Sequence, residues 1–343
     1  MQYQIRQIFA FDKAAQQQVL ALLTGEGITR DRNLDYTAAI YDEEGVMAAT
    51  GSFFRNTLRC LAVRSDLRGE GLLGTLVSHL VDELAQRGVF DVFLYTKYQA
   101  ARYFGELGFN ILAEVDRRVV FMENSATAFQ NYLDTLKTGM AAGKKAAAIV
   151  MNANPFTLGH QYLAEQASAN CDLLHLFIVR EDISAFPFSV RERLVRAGTQ
   201  HLKNIVYHDT GSYLVSSATF PSYFIQDSRE VTVAQARVDA AVFGKIARAT
   251  DISLRFVGDE PFSFATNLYN ETMAEDLPKQ GVELRIIPRK LDAGSQPISA
   301  TRVRRLLAEG DREGLRALLP ETTLSYLLSP EGQEVAQRIP AQK

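Results

Sequence analysis

The sequence AAAIVMNANPFTLGH, at residues 146–160, combines three local patterns. Residues 146–151 form an apolar run that is too short to cross a membrane and is typical of a strand buried on both faces. Residues 152–155 are mostly turn formers, and a helical pattern begins after Gly159 and His160. This order favours phosphate binding, because the first N–H groups of a helix have no partner within the helix.

Gly159 and His160 suit such a site for separate reasons. A glycine lets the backbone approach an anion closely, and a histidine can donate a hydrogen bond to a phosphoryl oxygen. A neutral His160 would donate one hydrogen bond, whereas a protonated one would add positive charge. The sequence leaves both protonation states open.

A second anion-binding pattern lies at residues 297–304, where a loop leads into a helix. Ser299 is a good N-cap candidate. The hydroxyls of Ser299 and Thr301 and the guanidinium of Arg304 would lie in the first turns, near the positive end of the helix. Arginine suits phosphate because its planar fork donates two hydrogen bonds at once. We expect this helix start to face the first one across a sheet edge.

Composition excludes several classes of protein. A length of 343 residues predicts two domains, and a net charge of −3 gives no general attraction to nucleic acid. No apolar run reaches the length of about 18 residues that a membrane span needs. Cys60 and Cys171 lie far apart without metal-ligand spacing, and we interpret both as small buried apolar residues. We therefore expect a cytoplasmic protein without protein-borne metal ligands that binds neither nucleic acid nor membrane.

Residues 144–330 alternate between strand and helix patterns, which favours a parallel sheet with right-handed crossovers. Ligands of such sheets bind beyond the carboxyl ends of the strands.

The helix predicted at residues 190–200 begins Val-Arg-Glu-Arg. We interpret Arg191 mainly as part of a solvated face, with a phosphate-binding role as the alternative. Strands are predicted at residues 146–151, 173–179, 204–208, 254–258 and 284–287, and the other helices at 161–170, 232–249, 266–277 and 300–308.

Residues 1–125 form a different α/β pattern, followed by a loose connection at 126–143; residues 331–343 are expected to form a tail. The stretch RGEGLLG, at residues 68–74, lies between a strand and a helix. It resembles the pyrophosphate-binding motif of the GNAT acetyltransferase fold, whose pattern is (Gln/Arg)-x-x-Gly-x-(Gly/Ala). The resemblance implies a GNAT-like domain in which Arg68, Gly69, Gly71 and Gly74 bind a CoA-like arm. Leu73 departs from the pattern, so a purely structural unit is the alternative.

The second domain resembles the nucleotidylyltransferase superfamily. Its two signatures, (His/Thr)-x-Gly-His and Ile-Ser-x-Thr-x-x-Arg, read TLGH at residues 157–160 and ISATRVR at 298–304. The resemblance implies a Rossmann-like domain that binds ATP and Mg²⁺, with catalytic roles for His160 and Arg304. The implied ATP-binding residues are Asn152, Asn154, Pro155, Phe156, Thr157, Gly159, His160, Gly258, Asp259, Glu260, Ile298, Ser299, Thr301 and Arg304.

The combination of these two domains resembles the citrate lyase ligase family. The resemblance covers essentially the whole chain and includes the stretches at 152–160 and 216–224. It implies that acetate and ATP form acetyl-adenylate and diphosphate. The thiol of the prosthetic group on the citrate lyase acyl carrier subunit then takes the acetyl group and AMP leaves. Ser217, Thr219, Phe220 and Tyr223 would shape the acetate pocket, with an ordinary turn anchored by aromatic residues as the alternative.

The sequence is also compatible with three other functions. The first is an adenylyltransferase that leaves AMP on a nucleotide-like or pantetheine-like acceptor. The second is an acetyl-CoA-dependent acetyltransferase that works through residues 1–125, against which Leu73 argues. The third is a non-catalytic module that binds the carrier, against which the two phosphate-binding patterns argue.

Overall fold

The structure is a computed structural model that describes residues 3–137, 145–180, 184–214, 220–221, 223, 225, 227–259 and 264–338. Contacts divide the chain into two units. The first comprises Met1–Tyr132 with Pro221–Ala234, and the second comprises Leu133–Phe220 with Gln235–Lys343. Both are α/β, as predicted. The second domain is predicted to contain the whole of residues 144–330, whereas contacts assign Pro221–Ala234 to the first unit.

The first unit is a mixed sheet with the strand order β1-β2-β3-β4-β5-β7-β6. Its strands are β1 (Gln4–Gln7), β2 (Tyr36–Tyr41), β3 (Met47–Phe54), β4 (Thr57–Val63), β5 (Phe93–Lys97), β6 (Asn110–Val115) and β7 (Val119–Glu123). Its helices are α1 (Lys13–Gly25), α2 (Leu72–Gln86) and α3 (Tyr98–Glu106), and α4 (Ala128–Leu136) contains the point at which the division falls.

Local sequence explains the helices of this unit. Asp12 caps α1 by accepting a hydrogen bond from the Ala15 N–H. Helix α2 buries Leu72, Leu76, Leu80 and Leu84, which recur every four residues and so lie on one face. The parallel strands β4 and β5 are paired at two positions only, Thr57–Phe93 and Leu58–Leu94.

The second unit is a five-stranded parallel sheet with the order β10-β9-β8-β11-β12. The predicted parallel sheet is therefore confirmed. Its strands are β8 (Ala146–Met151), β9 (Leu173–Ile178), β10 (Ile205–Asp209), β11 (Ile252–Gly258) and β12 (Glu283–Ile287). Its helices are α5 (Leu158–Ala169), α6 (Phe188–Gly198), α8 (Phe264–Asp276), α9 (Ala300–Glu309), α10 (Arg312–Arg316), α11 (Glu321–Leu328) and α12 (Pro330–Gln337). Helix α7 (Ser228–Thr250) begins in the first unit and belongs to the second from Gln235 onwards.

One face of this sheet carries the main apolar core. Ile149, Leu176 and Phe256 of three neighbouring strands belong to a buried cluster that also contains residues of α5, α6, α9, α11 and α12. Val335 of α12 lies in this cluster, so part of the predicted tail is a packed helix. Apolar packing of this kind is the main source of helix stability in a folded protein.

The other face of the sheet carries charged and polar side chains. Arg255 of β11 is buried, pairs with Asp239 of α7 at 3.0 Å and lies over the Phe243 ring. His175 of β9 and His208 of β10 share a hydrogen bond of 2.8 Å between Nδ1 and Nε2. Burial lowers the pKa of each to about 4, so both are neutral at pH 7. None of the helices in the described ranges is long and apolar enough to span a bilayer.

The buried histidine pair predicts a loss of stability in mild acid. The pKa of His175 is about 4 in the folded state against an ordinary 6.5, so the unfolded chain binds more protons between these values. Falling pH therefore favours unfolding across this window. At about 1.4 kcal/mol per pKa unit, the full loss at His175 alone is on the order of 3 kcal/mol.

Urea denaturation between pH 7 and pH 4.5 measures this effect. We expect the double variant His175→Gln/His208→Gln to lose less stability over this range than the wild type, because glutamine does not titrate. The exposed His201→Gln serves as the control and should keep the wild-type dependence. Equal pH dependence in the double variant and the wild type would contradict the assignment.

Candidate functional site

The loop after β8 enters helix α5 through a capping box. Thr157 is the N-cap, and its hydroxyl accepts a hydrogen bond from the His160 N–H at 3.3 Å. His160 Nδ1 in turn accepts from the Thr157 N–H at 3.1 Å. A capping box normally uses Glu or Gln at the position that His160 holds here. The side chain of His160 is therefore fixed by the backbone of its own helix start.

This geometry decides the protonation state that the sequence left open. Because Nδ1 accepts a hydrogen bond, the proton of the neutral ring lies on Nε2. Burial lowers the pKa of His160 to about 4, and the positive charge of Arg289 adds to this effect. The ring stacks on Phe156 with centroids 5.8 Å apart. At neutral pH, His160 is thus an uncharged donor through Nε2.

The two sequence patterns meet in space. Arg304 Nη1 donates a hydrogen bond of 2.6 Å to the carbonyl oxygen of Asn154, 150 residues earlier in the chain. A Cβ placed on Gly159 would lie 2.9 Å from the carbonyl oxygen of Ile298, so the two backbones are in close contact. Gly159 is therefore needed where α5 passes the residues that lead into α9. The structure brings the TLGH and ISATRVR stretches together, as the sequence predicted.

Helix α9 begins as expected. Ser299 is its N-cap and accepts a hydrogen bond from the Arg302 N–H at 3.2 Å. The Ile298 N–H bonds the Lys290 carbonyl at 3.0 Å, which holds the entry to the helix. Arg302 pairs with Asp292 at 2.5 Å, whereas Arg304 Nη2 bonds the Thr301 hydroxyl at 3.2 Å. Of these two arginines, Arg304 is the one bonded to the loop after β8.

Backbone N–H groups are available at this edge of the sheet. Within the described part of the chain, the N–H groups of Ala153, Phe156 and Gly159 have no hydrogen-bond acceptor. Ala153 and Phe156 are almost fully buried. Buried N–H groups nearly always have a partner, so a ligand with acceptor oxygens fits this loop.

The asparagine side chains of the loop have structural partners. Asn154 Oδ1 accepts from the Phe186 N–H at 3.0 Å, and Asn152 Nδ2 lies 3.1 Å from the Ser184 hydroxyl. Both contacts join the loop to the segment that precedes α6. The predicted ATP contacts of Asn152, Asn154 and Pro155 stay predictions, and for the two asparagines the structure shows loop-to-loop hydrogen bonds.

The end of β11 adds a residue that the sequence analysis missed. The Asp259 N–H bonds the Ile287 carbonyl at 2.9 Å, and Arg289 Nε donates to the Asp259 carbonyl at 2.6 Å. Arg289 also acts on the pKa of His160, so its charge lies near the imidazole. Its position two residues after β12, at the carboxyl edge of the sheet, was the signal that could have found it. Gly258 is described, whereas Glu260 lies outside the described residues.

The interpretation of Arg191 as a solvated residue is wrong. Its side chain is fully buried and donates to backbone carbonyls, whereas Arg193, two residues later, is exposed and pairs with Glu331. The sequence pattern alone did not separate these two arginines, because both lie near the start of the same helix.

The residues predicted to bind acetate are only partly described. Ser217 and Thr219 lie outside the described residues, and Phe220 is buried in the second unit. Tyr223 belongs to the first unit, where its hydroxyl donates to the Tyr95 carbonyl of β5 at 3.0 Å. Burial raises the pKa of Tyr223 far above its ordinary value. An acetate pocket built from these four residues stays a prediction.

The glycine-rich loop of the first unit precedes helix α2. Gly69 and Gly71 have φ angles of 97° and 77°, which few other residues adopt, and Gly71 is the N-cap of α2. Arg68 is exposed and pairs with Glu26. A Cβ on Gly74 would lie 3.3 Å from Leu107, so packing explains this glycine. The predicted binding of a CoA-like arm at this loop stays a prediction.

Comparison with known proteins points to one family. The family model of the citrate lyase ligase C-terminal domain matches residues 146–327. The citrate (pro-3S)-lyase ligase of Escherichia coli strain K12 is 38% identical over 322 residues, which cover 90% of this chain and 91% of that protein. That of Haemophilus influenzae is 37% identical over 303 residues, which cover 87% and 90%.

Solved structures resemble the first part of the chain. A GNAT-family acetyltransferase from Staphylococcus aureus Mu50 is 13% identical, covers 36% of this chain and all of its own, and gives a TM-score of 0.30. The ribosomal-protein-S18-alanine N-acetyltransferase of Escherichia coli is 24% identical, covers 36% of this chain and 92% of its own, and gives a TM-score of 0.28.

The hydrogen bonds of His160 predict its behaviour in solution. We expect the ring to stay neutral with the proton on Nε2 from pH 8 down to about pH 5.5, because its pKa is about 4. Nitrogen-15 chemical shifts of the imidazole measure both the tautomer and the titration. Free imidazole in the same sample serves as the internal reference. A midpoint near the ordinary value of 6.5, or a proton on Nδ1, would contradict the prediction.

Proposed function

The chain belongs to the citrate lyase ligase family, and from this premise we propose that it uses ATP to acetylate the prosthetic-group thiol of the citrate lyase acyl carrier subunit. The acetyl group comes from acetate by way of acetyl-adenylate, and the other products are AMP and diphosphate. The curated relatives support this function through 36–38% identity over most of the chain. The contact between Arg304 and Asn154 is the main observation that supports an ATP site between the start of α9 and the loop after β8.

In the first step, a carboxylate oxygen of acetate attacks the α-phosphorus of ATP. A carboxylate–phosphorus bond forms, the bond from the α-phosphorus to its bridging oxygen breaks, and diphosphate leaves. Acetate is already ionised at neutral pH, so no protein base is needed. The protein positions the reactants and stabilises negative charge on the phosphoryl oxygens. His160 Nε2, the N–H groups of Phe156 and Gly159, and the Arg304 guanidinium are the proposed donors.

In the second step, the thiolate of the carrier attacks the acetyl carbonyl carbon. The carbon–sulfur bond forms, the bond between that carbon and the adenylate oxygen breaks, and AMP leaves with the electron pair. The protein's own thiols are poor candidates for this role. Burial raises the pKa of Cys60 and of Cys171 to about 11, so both stay protonated at neutral pH.

We propose that Mg²⁺ enters with the nucleotide. The described residues contain no group of three His, Cys, Asp or Glu side chains that could hold a metal ion. Mg²⁺ commonly binds substrate phosphates and water with one or two carboxylates, so it needs no such group. When bound, the ion would neutralise charge on the triphosphate.

The cytoplasmic location expected from the cysteine content stays a prediction.

We propose that the first unit binds the CoA-like arm of the carrier at the loop of residues 68–74. Two observations support this. Gly69 and Gly71 expose backbone at the start of α2, and the exposed Arg68 supplies positive charge next to it. A helix start with a neighbouring guanidinium suits a pyrophosphate group.

The first test removes the imidazole. We expect His160→Ala to lower acetate-dependent exchange between ATP and diphosphate by about 10²–10³-fold, because one donor to the phosphoryl group is lost. Exchange is measured with labelled diphosphate, with His201→Ala as the matched control at an exposed histidine. Near-normal exchange in His160→Ala would refute its role. Exchange without acetate, or a dinucleotide product in place of free AMP, would favour an adenylyltransferase.

The second test separates the two half-reactions. We expect Arg68→Gln to raise the KM for the carrier thiol several-fold and to leave acetate-dependent exchange unchanged, since the loop would touch only the arm. Arg102→Gln, which changes an exposed arginine of α3, is the control. An unchanged KM for the carrier, or an equal loss of exchange, would reject this division of labour between the units.

A further inference from the structure

Helix α6 carries three arginines, one of which has a different environment from the other two. Arg193 and Arg196 lie at the surface and pair with Glu331 and Glu192. Arg191 is fully buried. Burying a charged side chain is costly unless hydrogen bonds compensate for the lost water, so the buried position of Arg191 needs a structural reason.

The guanidinium of Arg191 donates hydrogen bonds to three backbone carbonyls. Nη1 donates to Asn152 at 2.8 Å and to Val179 at 2.9 Å, and Nε donates to Phe186 at 3.0 Å. Asn152 directly follows β8, Val179 directly follows β9, and Phe186 lies just before α6. One side chain therefore holds the carboxyl ends of two neighbouring strands and the segment that leads into its own helix.

This contact orients the loop that follows β8. In a trans peptide, the C=O of one residue and the N–H of the next point in opposite directions. Because the Asn152 carbonyl points at Arg191, the Ala153 N–H points away from it. Arg304 holds the Asn154 carbonyl at 2.6 Å, in a peptide that has no N–H because the next residue is Pro155. Two guanidinium groups thus fix two peptides of this loop, the one after Asn152 and the one after Asn154.

We propose that Arg191 is a positioning residue that shapes residues 152–156 for the phosphates of ATP. It acts through the backbone of this loop, while His160 and Arg304 act on the nucleotide. This inference rests on the proposed function, because the loop is the proposed phosphate site. A planar fork with several donors is needed for three carbonyls in different directions, and lysine cannot supply one.

The test uses Arg191→Ala and Arg191→Lys, with Arg193→Ala as the matched control two residues away on the same helix. We expect both Arg191 variants to raise the KM for ATP by about tenfold to a hundredfold in acetate-dependent exchange, because misplaced donors bind the phosphates poorly. The KM for acetate should change less. Arg193→Ala should behave as the wild type.

Chemical rescue separates positioning from general destabilisation. Millimolar guanidinium or methylguanidinium should lower the KM of Arg191→Ala towards the wild-type value, whereas methylammonium, which lacks the planar fork, should not. An unchanged KM for ATP, a fall in kcat alone, or failure of guanidinium to rescue would overturn the proposal. If Arg191→Ala does not fold, the raised KM of Arg191→Lys decides.

A second measurement distinguishes this proposal from the proposed reaction. Calorimetric titration with ATP reports the affinity of each variant without turnover. Wild-type protein that binds ATP but shows no acetate-dependent exchange would reject the reaction. A tenfold or greater loss of ATP affinity in Arg191→Ala and none in Arg193→Ala would still support the positioning role. Equal affinities would overturn it.

Discussion

The hydrogen bond from Arg304 to the Asn154 carbonyl is the contact on which the proposed site depends. It joins the start of α9 to the loop after β8. Gly159 permits the same approach a few residues later, where its backbone lies against the Ile298 carbonyl. Two helix N-termini are thereby held side by side at the carboxyl edge of a parallel sheet. Both helix starts provide partial positive charge, and in the described residues the loop into α5 adds N–H groups without an acceptor, which is an arrangement suited to a polyphosphate.

Charge at this edge is divided between residues with different roles. His160 is neutral, because it is buried and lies near Arg289, and so it donates a hydrogen bond without adding charge. Burial lowers the pKa of Arg304, yet an arginine keeps its proton at neutral pH. The positive charge of the site therefore comes from guanidinium groups, while the neutral imidazole donates a hydrogen bond in a fixed direction. Both cysteines stay protonated, which leaves the nucleophile of the second step to the carrier.

Sequence reasoning located the regular elements well, because they follow from local patterns. The apolar run at residues 146–151 is β8, and Ser299 is the N-cap of α9. Helix α5 begins at Leu158 rather than at residue 161, since Thr157 and His160 form an unusual capping box. The misinterpretation of Arg191 arose because charge at the start of an amphipathic helix normally indicates exposure. Hydrogen bonds to three carbonyls from separate segments compensate for the burial of this side chain.

By itself, the sequence determined the order of strands and helices, the parallel sheet and the two phosphate-binding patterns, because hydrophobic periodicity and capping residues act over a few neighbours. Tertiary structure alone decided which arginine of α6 contacts the loop after β8, which nitrogen of His160 carries the proton, and that Tyr223 belongs to the first unit. These features depend on groups far apart in the chain, whose distances and desolvation are set only when the sheet and its helices have packed. The family follows from the sequence, and the positions of the donors follow from the fold.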